Sequence, residues 1–287
     1  MILKQTIDLK LFVLICVALL FLSANSILAR MAIVTQNIDG FTFTFLRIIS
    51  GSILLFIIYF YRKKRVDISL KKNWISGFML FLYAICFSYS YINMLAGIGT
   101  LILFAVVQLS MIFIALFYKE KMSLNKTIGI LVAFIGLVYL LYPKEDFTIS
   151  YFHTFLMVIS GTAWGVYSVL GKSSTSAIFN TTDNFFKASI FTLIFMLMFI
   201  SEVHLDLYTF CLAITSGAIT SALGYLLWYE ILPKIEIITA SVLQLLVPII
   251  AIFLSILFLD ESLTFELIVS TILILVGIFI ALKRKRV

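Results

Sequence analysis

Ten apolar stretches, each long enough to cross a lipid bilayer, fill almost all of this 287-residue chain. A helix of about 20 apolar residues spans the hydrocarbon layer. Only helices and closed barrels satisfy their backbone hydrogen bonds there, and these stretches lack the alternation of polar and apolar residues found in barrel strands. The chain is 63% hydrophobic and 12% charged, which is more apolar surface than the core of a soluble protein can bury. The sequence therefore predicts an all-α integral membrane protein.

The predicted transmembrane helices follow one another through short connections, which leaves no room for a soluble domain or a long linker. The first stretch follows Lys4 and Lys10, as in a signal peptide, but it continues to Ile33 without a cleavage site of small residues. We therefore interpret it as a helix. The ten predicted helices cover residues 11–33, 41–61, 74–95, 98–118, 124–142, 151–171, 184–203, 207–229, 237–259 and 265–282.

The net charge of +7 is distributed in a way that indicates membrane orientation rather than binding of nucleic acid. Basic clusters lie at residues 62–72, 119–126 and 283–286. If both termini are cytoplasmic, all three clusters fall on the cytoplasmic side, as the positive-inside rule requires. We expect a multi-pass protein of the cell (inner) membrane whose partners are the lipid bilayer and a small-molecule solute.

The pattern of residue types in the first half of the chain is repeated in the second half. Residues 99–141 align with 240–282 without a gap, and residues 21–30 align with 163–172. The segment around Arg47 aligns in the same way with the segment around Lys187. These alignments bring basic residues, glutamates and glycines onto each other at matching helix positions.

Each half contains five predicted helices, and five is an odd number, so the second half enters the membrane upside down. Inverted repeats of this kind are typical of secondary transporters, whose site lies near the bilayer midplane between the halves. The sequence thus predicts ten transmembrane helices as two inverted five-helix repeats. We expect the repeats at residues 1–147 and 148–287.

The repeated segments resemble motifs of the drug/metabolite transporter superfamily, in its EamA branch, and they occur in that family's order over almost the whole chain. The resemblance implies a ten-helix transporter of small organic metabolites such as amino acids or related compounds. The segments are Leu22-Ser23-Ala24-Asn25 through Arg30, Phe45-Leu46-Arg47, Trp164-Gly165 through Lys172, and Pro248 followed by Leu259-Asp260-Glu261-Ser262-Leu263.

Polar side chains within the apolar helices are the candidates for solute binding, because they cost free energy unless they face protein or water. Hydroxyls, amides and indoles suit a small polar or amphipathic solute better than a bare ion. The alternative interpretation is helix–helix packing with hydrogen bonds between helices. The predicted substrate-binding residues are Asn25, Gln108, Trp164, Tyr167, Ser221, Tyr225, Trp228 and Gln244.

Four further residues are expected to have structural or gating roles. Arg47 lies about two turns into the second helix, where it either meets a substrate carboxylate or binds neighbouring carbonyl groups. Pro248 favours a kink, which acts as a hinge or serves packing alone. Glu120 and Glu261 end helices, where a carboxylate is electrostatically disfavoured, so we expect them to cap the following helix or pair with a basic neighbour.

All fourteen carboxylates are expected in loops or at helix ends, so we expect no buried acid to relay protons. No Walker A, H-E-x-x-H or G-x-S-x-G motif occurs, and the scattered cysteines and histidines do not suit a metal site. We therefore predict no enzymatic activity and no cofactor. The predicted function is secondary transport by alternating access. A broad-specificity drug exporter is the alternative, and an intramembrane enzyme or receptor is less favoured.

Overall fold

The computed structural model describes residues 8–35, 37–64, 68–69, 71–120, 122–141, 150–198, 205–259 and 265–282. The regular structure of this part of the chain is entirely helical. Its helices are α1 (Leu9–Val34), α2 (Gly40–Lys63), α3 (Trp74–Ser90), α4 (Ala96–Phe117), α5 (Leu124–Leu141), α6 (Tyr151–Gly171), α7 (Ala177–Met198), α8 (Leu207–Lys234), α9 (Ile237–Leu259) and α10 (Phe265–Leu282).

Each predicted stretch overlaps one of these helices. Within the described residues, α1, α2, α4, α6, α8 and α9 are long and apolar enough to cross a membrane, and α3, α5 and α10 contain shorter apolar stretches. The chain is thus a multi-pass membrane protein. Many exposed side chains on these helices are large and hydrophobic, as expected where lipid replaces water.

The largest error in the predicted boundaries concerns α7, which was expected at 184–203 and begins at Ala177. Polar residues obscured its start, and two of them are buried with partners inside the protein. Asp183 forms an ion pair with Lys187 one turn later, at 2.5 Å. Thr182 donates a hydrogen bond to the carbonyl oxygen of Ile178. Hydropathy alone misplaced this helix because it treats such side chains as exposed.

Polar contacts near the helix ends show which ends lie together on each side of the bundle. At one end, Asn73 before α3 donates to Asp183 of α7 at 2.7 Å, and Lys126 of α5 pairs with Glu236 before α9. We call this the basic end, since it also carries Arg62, Lys63, Lys64, Lys71, Lys72, Lys119, Lys172 and Lys234. At the opposite end, Asn37 before α2 donates to Asp206 before α8 at 2.9 Å.

Two basic residues that align in the sequence bind backbone carbonyl groups at the two ends. Arg30 of α1 donates from Nη1 to the carbonyl oxygen of Tyr91, after α3, at 2.7 Å. Lys172, which follows α6, donates from Nζ to the carbonyl oxygen of Ile235, after α8. Each bond ties the end of one helix to the loop that precedes α4 or α9.

Helices α5 and α10 pack backbone against backbone at the edge of the bundle. A Cβ added to Gly129 would lie 2.4 Å from the carbonyl oxygen of Gly277, and a Cβ on Gly277 would lie 2.5 Å from that of Gly129. Ala133 and Ala281, each four residues further along, complete the same contact. Small residues allow membrane helices to approach this closely, and packing then stabilises the pair.

Two helices contain backbone irregularities that position the site. In α8, residues Thr215–Leu223 form a π-helix. In α9, the α-helix stops at Leu243 and resumes at Leu246. Pro248 has no N–H, so the carbonyl oxygen of Gln244 instead accepts from the N–H of Val247 at 3.0 Å. The α-helix is therefore interrupted one turn before Pro248, the residue at which a kink was expected.

Candidate functional site

The centre of the bundle holds a fully buried arginine. Arg47 of α2 donates from Nε to Ser221 Oγ at 2.8 Å. Its Nη2 donates to the hydroxyl oxygens of Tyr225 at 2.6 Å and of Tyr83 at 3.2 Å. The guanidinium carbon also lies 5.0 Å from the ring centroid of Phe87, within cation–π range. These contacts join α2 to α3 and to α8.

The charge of Arg47 has no anionic partner among the described residues. Its Nη1 is buried and has no hydrogen-bond acceptor. The ion pairs of the described chain are formed by other residues, Lys126–Glu236, Lys187–Asp183 and Lys234–Glu230. Removing a cation from water without pairing it is costly, so this arrangement is expected at a site rather than in a packing core.

The π-helix of α8 brings hydroxyl groups against Asn25 of α1. The Asn25 Oδ1 atom lies within hydrogen-bonding distance of three hydroxyls, those of Ser216 at 3.1 Å, Thr220 at 2.6 Å and Ser221 at 3.0 Å. Its Nδ2 is buried without an acceptor. Because Ser221 also accepts from Arg47, the amide and the guanidinium belong to one polar network.

Close approach between α2 and the π-helix depends on Gly217. A Cβ at this position would lie 2.0 Å from Ser50 Oγ and 2.1 Å from the carbonyl oxygen of Arg47. No side chain fits in that space. π-Helical segments are rare and occur frequently at functional sites. Here the segment sets both the distance and the rotation at which Ser221 meets Arg47.

Aromatic rings and one amide cover the network on the side of α6 and α9. The Trp164 ring lies 4.6 Å from that of Tyr225 and 4.9 Å from that of Tyr83, measured between centroids. Its Nε1 donates to Gln244 Oε1 at 2.7 Å, at the interruption of α9. Tyr167 stacks beside Trp164 at 5.3 Å, and its hydroxyl is buried without a partner.

Comparison with known families decides the identity of this bundle. The sequence profile of the EamA-like transporter family matches the chain twice, at residues 9–142 and 152–283. The chain belongs to the EamA-like transporter family. This confirms the resemblance to the drug/metabolite transporter superfamily drawn from the sequence motifs.

Proteins similar to this EamA-like transporter come from distant organisms. An uncharacterised protein of Pseudomonas aeruginosa is 34% identical over 97% of this chain and 96% of its own length. An uncharacterised transporter of Archaeoglobus fulgidus is 29% identical over 63% of this chain and 67% of its own. The uncharacterised transporter YoaV of Bacillus subtilis is 23% identical over 85% and 87%.

The fold of this EamA-like transporter also occurs among solved structures. One crystal structure superimposes with a TM-score of 0.78, covering 95% of this chain and 97% of the other. The two sequences are 17% identical. This similarity therefore supports the arrangement of helices and carries no information on the solute.

The structure of this family member brings together most of the residues proposed from the sequence. The residues joined by the contacts above are Asn25, Arg47, Trp164, Tyr167, Ser221, Tyr225 and Gln244. Two others take no part in these contacts. Trp228 donates from Nε1 to Ser168 Oγ of α6 at 3.1 Å. Gln108 of α4 is buried, and both polar atoms of its amide lack a partner.

Trp228 lies three residues after Tyr225, and both belong to the α-helical segment that follows the π-helix, Gly224–Ile231. Ser221 and Tyr225 meet Arg47, whereas Trp228 is turned toward α6.

Glu120 caps a different helix from the one expected. Its carboxylate accepts from the N–H groups of Ile237 at 3.1 Å and Ile238 at 3.2 Å, at the start of α9 rather than α5. A carboxylate is favoured there by the helix dipole. Beside it, burial lowers the pKa of Lys172, while Glu120 and Glu236 act against that change. Its sequence counterpart, Glu261, lies outside the described residues.

Asp183 was expected just before a helix at 184–203, and it instead lies buried near the start of α7. Asp183 lies in the second turn of α7, and the side chains of Asp183 and Lys187 are 0% and 1% exposed. Asp183 also accepts from Asn73 Nδ2 and from the N–H of Ser69 at 3.1 Å. The buried charge is therefore compensated within the protein, at the basic end of the bundle.

Sequence reasoning missed several residues of the network, Tyr83, Phe87, Ser216 and Thr220. Tyr83 is the most informative of them, since its hydroxyl meets both Arg47 and Tyr225. Its position near the middle of an apolar helix was the available signal, because tyrosines of membrane proteins are enriched at the interfaces. The two threonine and serine hydroxyls gave no comparable signal.

Proposed function

We propose that this EamA-like transporter is a secondary transporter of small organic metabolites, amino acids or related compounds, with no enzymatic activity. In this proposal it works by alternating access between two inverted five-helix halves, residues 1–147 and 148–287. The observation that carries the proposal is the buried network around Arg47. It joins α1, α2 and α3 of the first half to α8 of the second, where inverted-repeat carriers bind their solutes.

Equivalent contacts at opposite ends support the inverted relation of the halves. Arg30 and Lys172 align in sequence, and each binds a carbonyl group in the loop before α4 or before α9. The first bond lies at one end of the bundle and the second at the basic end. If one half is turned upside down relative to the other, the bond of Arg30 becomes equivalent to the bond of Lys172.

A second pair of contacts supports the same relation nearer the middle. Gly217 of α8 packs on the backbone of Arg47, and Gly77 of α3 packs on Lys187, whose Cβ would lie 2.5 Å from a Cβ added to the glycine. Arg47 and Lys187 align in the sequence. Each half thus places the second-helix basic residue against a glycine of the other half.

Hydrogen bonds between the halves close both ends of the bundle. Asn37 and Asp206 meet at one end, and Lys126 and Glu236 meet at the basic end. The network between the ends is buried, with Arg47 0% exposed. In this proposal these contacts belong to an occluded state, and alternating access requires that each end opens in turn.

Disulfides placed across each end test alternating access. Asn37→Cys with Asp206→Cys, and separately Lys126→Cys with Glu236→Cys, are introduced after the native cysteines are replaced by serine. Oxidation of either pair should stop solute flux in proteoliposomes, and reduction should restore it. The four single-cysteine variants serve as controls. Undiminished flux with either end covalently closed would rule out the mechanism.

The solute is found first by comparing metabolites of cells with and without the protein, and then by uptake into liposomes. Accumulation or loss of an organic metabolite, reproduced in liposomes, is the expected result. A change in resistance to unrelated toxic cations, without any metabolite difference, would instead favour the drug exporter. Both outcomes are read from the same pair of strains.

Orientation is a separate part of the proposal. The basic end should face the cytoplasm of a cell (inner) membrane, because positive charge in short loops is retained on that side. A reporter that is active only in the cytoplasm, placed in the loop at 62–73 or after residue 287, should be active at both positions. Activity at one position alone would contradict the even number of membrane crossings.

A further inference from the structure

The network around Arg47 contains more hydrogen-bond donors than acceptors. Arginine has five N–H donors and no acceptor. Three bonds engage its Nε and Nη2, and the two protons on Nη1 have no acceptor among the described residues. A buried donor left unpaired costs free energy, so the excess indicates a binding partner rich in acceptors.

Tyr83 adds a further donor. Both tyrosine hydroxyl oxygens accept from Arg47, and Tyr225 donates to Tyr83 at 3.2 Å. Tyr83 therefore accepts in both of its hydrogen bonds, and its own hydroxyl proton is available to a further acceptor.

Asn25 contributes the remaining unpaired donor. Its Nδ2 is buried without an acceptor, while its Oδ1 is within reach of Ser221 Oγ at 3.0 Å. Ser221 Oγ is itself 2.8 Å from Arg47 Nε. Arg47 and Asn25 are therefore linked through Ser221, and each holds an unpaired donor in this region of the bundle.

We infer that this region binds the carboxylate of an organic anion, with Arg47 as its principal partner. The inference rests on the proposed transport function and specifies its substrate class. A carboxylate offers two oxygens with about four acceptor positions, and arginine binds it in a charge-assisted pair. The excess donors of Arg47, Asn25 and Tyr83 match that chemistry.

The same residues indicate the rest of the solute. The rings of Phe87, Tyr83, Trp164 and Tyr225 surround the guanidinium or its tyrosine partners, and they supply apolar faces. No described carboxylate pairs with this cluster, so an ammonium group on the solute would have no anionic partner there. The cluster favours an anion with an apolar or aromatic body over a zwitterion, and a zwitterion over a cation.

A series of ligands that differ in charge tests the inference without measuring transport. The probes are phenylacetate, L-phenylalanine and phenethylamine, which share an aromatic ring and carry a negative, a zwitterionic and a positive group. Each is titrated against purified protein in detergent, and the thermal unfolding temperature is recorded. Phenylacetate should stabilise the protein most, L-phenylalanine less, and phenethylamine should have no effect.

Two variants locate the effect. Arg47→Gln should abolish the stabilisation by phenylacetate. Tyr83→Phe removes a hydroxyl but keeps the ring, and it should raise the half-saturating concentration about tenfold, as expected for loss of one bond to a charged group. Tyr89→Phe is the matched control, because it removes a hydroxyl from the same helix at a ring that packs on Phe41, outside the network. If Arg47→Gln does not fold, the two tyrosine variants decide the question.

Three outcomes would overturn the inference. They are stabilisation by phenethylamine rather than phenylacetate, no stabilisation by phenylacetate, and equal effects of Tyr83→Phe and Tyr89→Phe. Because the assay measures binding alone, these outcomes are distinct from failure of alternating access, which is read from flux in the disulfide variants.

Discussion

Arg47 of α2 and Ser221 of α8 are joined by a hydrogen bond of 2.8 Å that links a buried cation to a π-helix. The bond forms because Gly217, one turn earlier, lets the backbones of the two helices come into contact. Disturbing that contact should move the hydroxyls that α8 presents to Arg47 and Asn25, those of Ser216, Thr220, Ser221 and Tyr225. The following predictions start from this dependence.

Gly217→Ala should destabilise the protein by about 1–3 kcal/mol, the usual cost of overpacking, since its Cβ would lie 2.1 Å from a backbone oxygen. Gly224→Ala in the same helix is the comparison, because its Cβ would meet a side-chain atom, Phe21 Cβ, at 2.9 Å. Thermal and denaturant unfolding of both variants provide the measurement. Equal stability of the two variants would contradict the role given to Gly217.

Trp164→Phe should lower stability by about 1–3 kcal/mol, because it leaves the buried Oε1 of Gln244 without its donor. The double variant with Gln244→Leu should lose less than the sum of the single changes, since both polar partners are then removed. Unfolding in denaturant measures this coupling. Strict additivity would show that the bond contributes nothing.

Asp183→Asn should destabilise the protein by about 3–5 kcal/mol, because Lys187 is then left buried and unpaired. Adding Lys187→Met should recover most of that loss. Glu230→Gln is the control, since Glu230 pairs with Lys234 at the same helical spacing but both side chains are exposed. It should cost no more than about 1 kcal/mol. Similar losses for the two single variants would show that burial of the pair does not matter.

Asp206 should lose its capping role in acid. Hydrogen bonds from the Thr209 hydroxyl and N–H lower the pKa of Asp206 from its ordinary value of 3.8. The stabilisation is therefore complete above that value and disappears as the pH falls through the lower pKa of the folded state. The protection factors of the amides in the first turn of α8, which correct the exchange rates for their intrinsic pH dependence, should fall at low pH in the wild type. Asp206→Ala should show low protection at every pH, and an unchanged wild-type protection factor would refute the effect.

The arrangement of apolar stretches predicts the helices well, because burial in lipid requires every stretch to be long and uninterrupted. Pro248 likewise predicts the interruption of α9, since the missing N–H has a local effect. The start of α7 escaped prediction for the opposite reason. Asp183 and Lys187 neutralise each other through contacts that hydropathy does not represent.

The site was only partly accessible from sequence. Polar residues such as Asn25, Gln244 and Ser221 stand out in apolar helices, and their burial makes them candidates. Tyr83 and the π-helix did not stand out in the same way. Tyr83 acquires its role from α2 and α8, and the π-helix follows from packing of Gly217 on α2, so both depend on contacts distant in sequence.

The seam between α5 and α10 carries a consequence for ancestry. In the alignment of residues 99–141 with 240–282, Gly129 corresponds to Ser270 and Gly136 to Gly277. Gly129 packs on Gly277, and Gly136 packs in turn on Ser270, with a Cβ added to the glycine 3.0 Å from the serine carbonyl oxygen. The sequence counterparts of two residues in contact are thus also in contact with each other, which is the contact pattern of a dimer with two-fold symmetry. On the proposed inverted relation of the halves, a half-length ancestor inserted in both orientations would have formed this seam with its own copy, and halves co-expressed as separate chains should still assemble there.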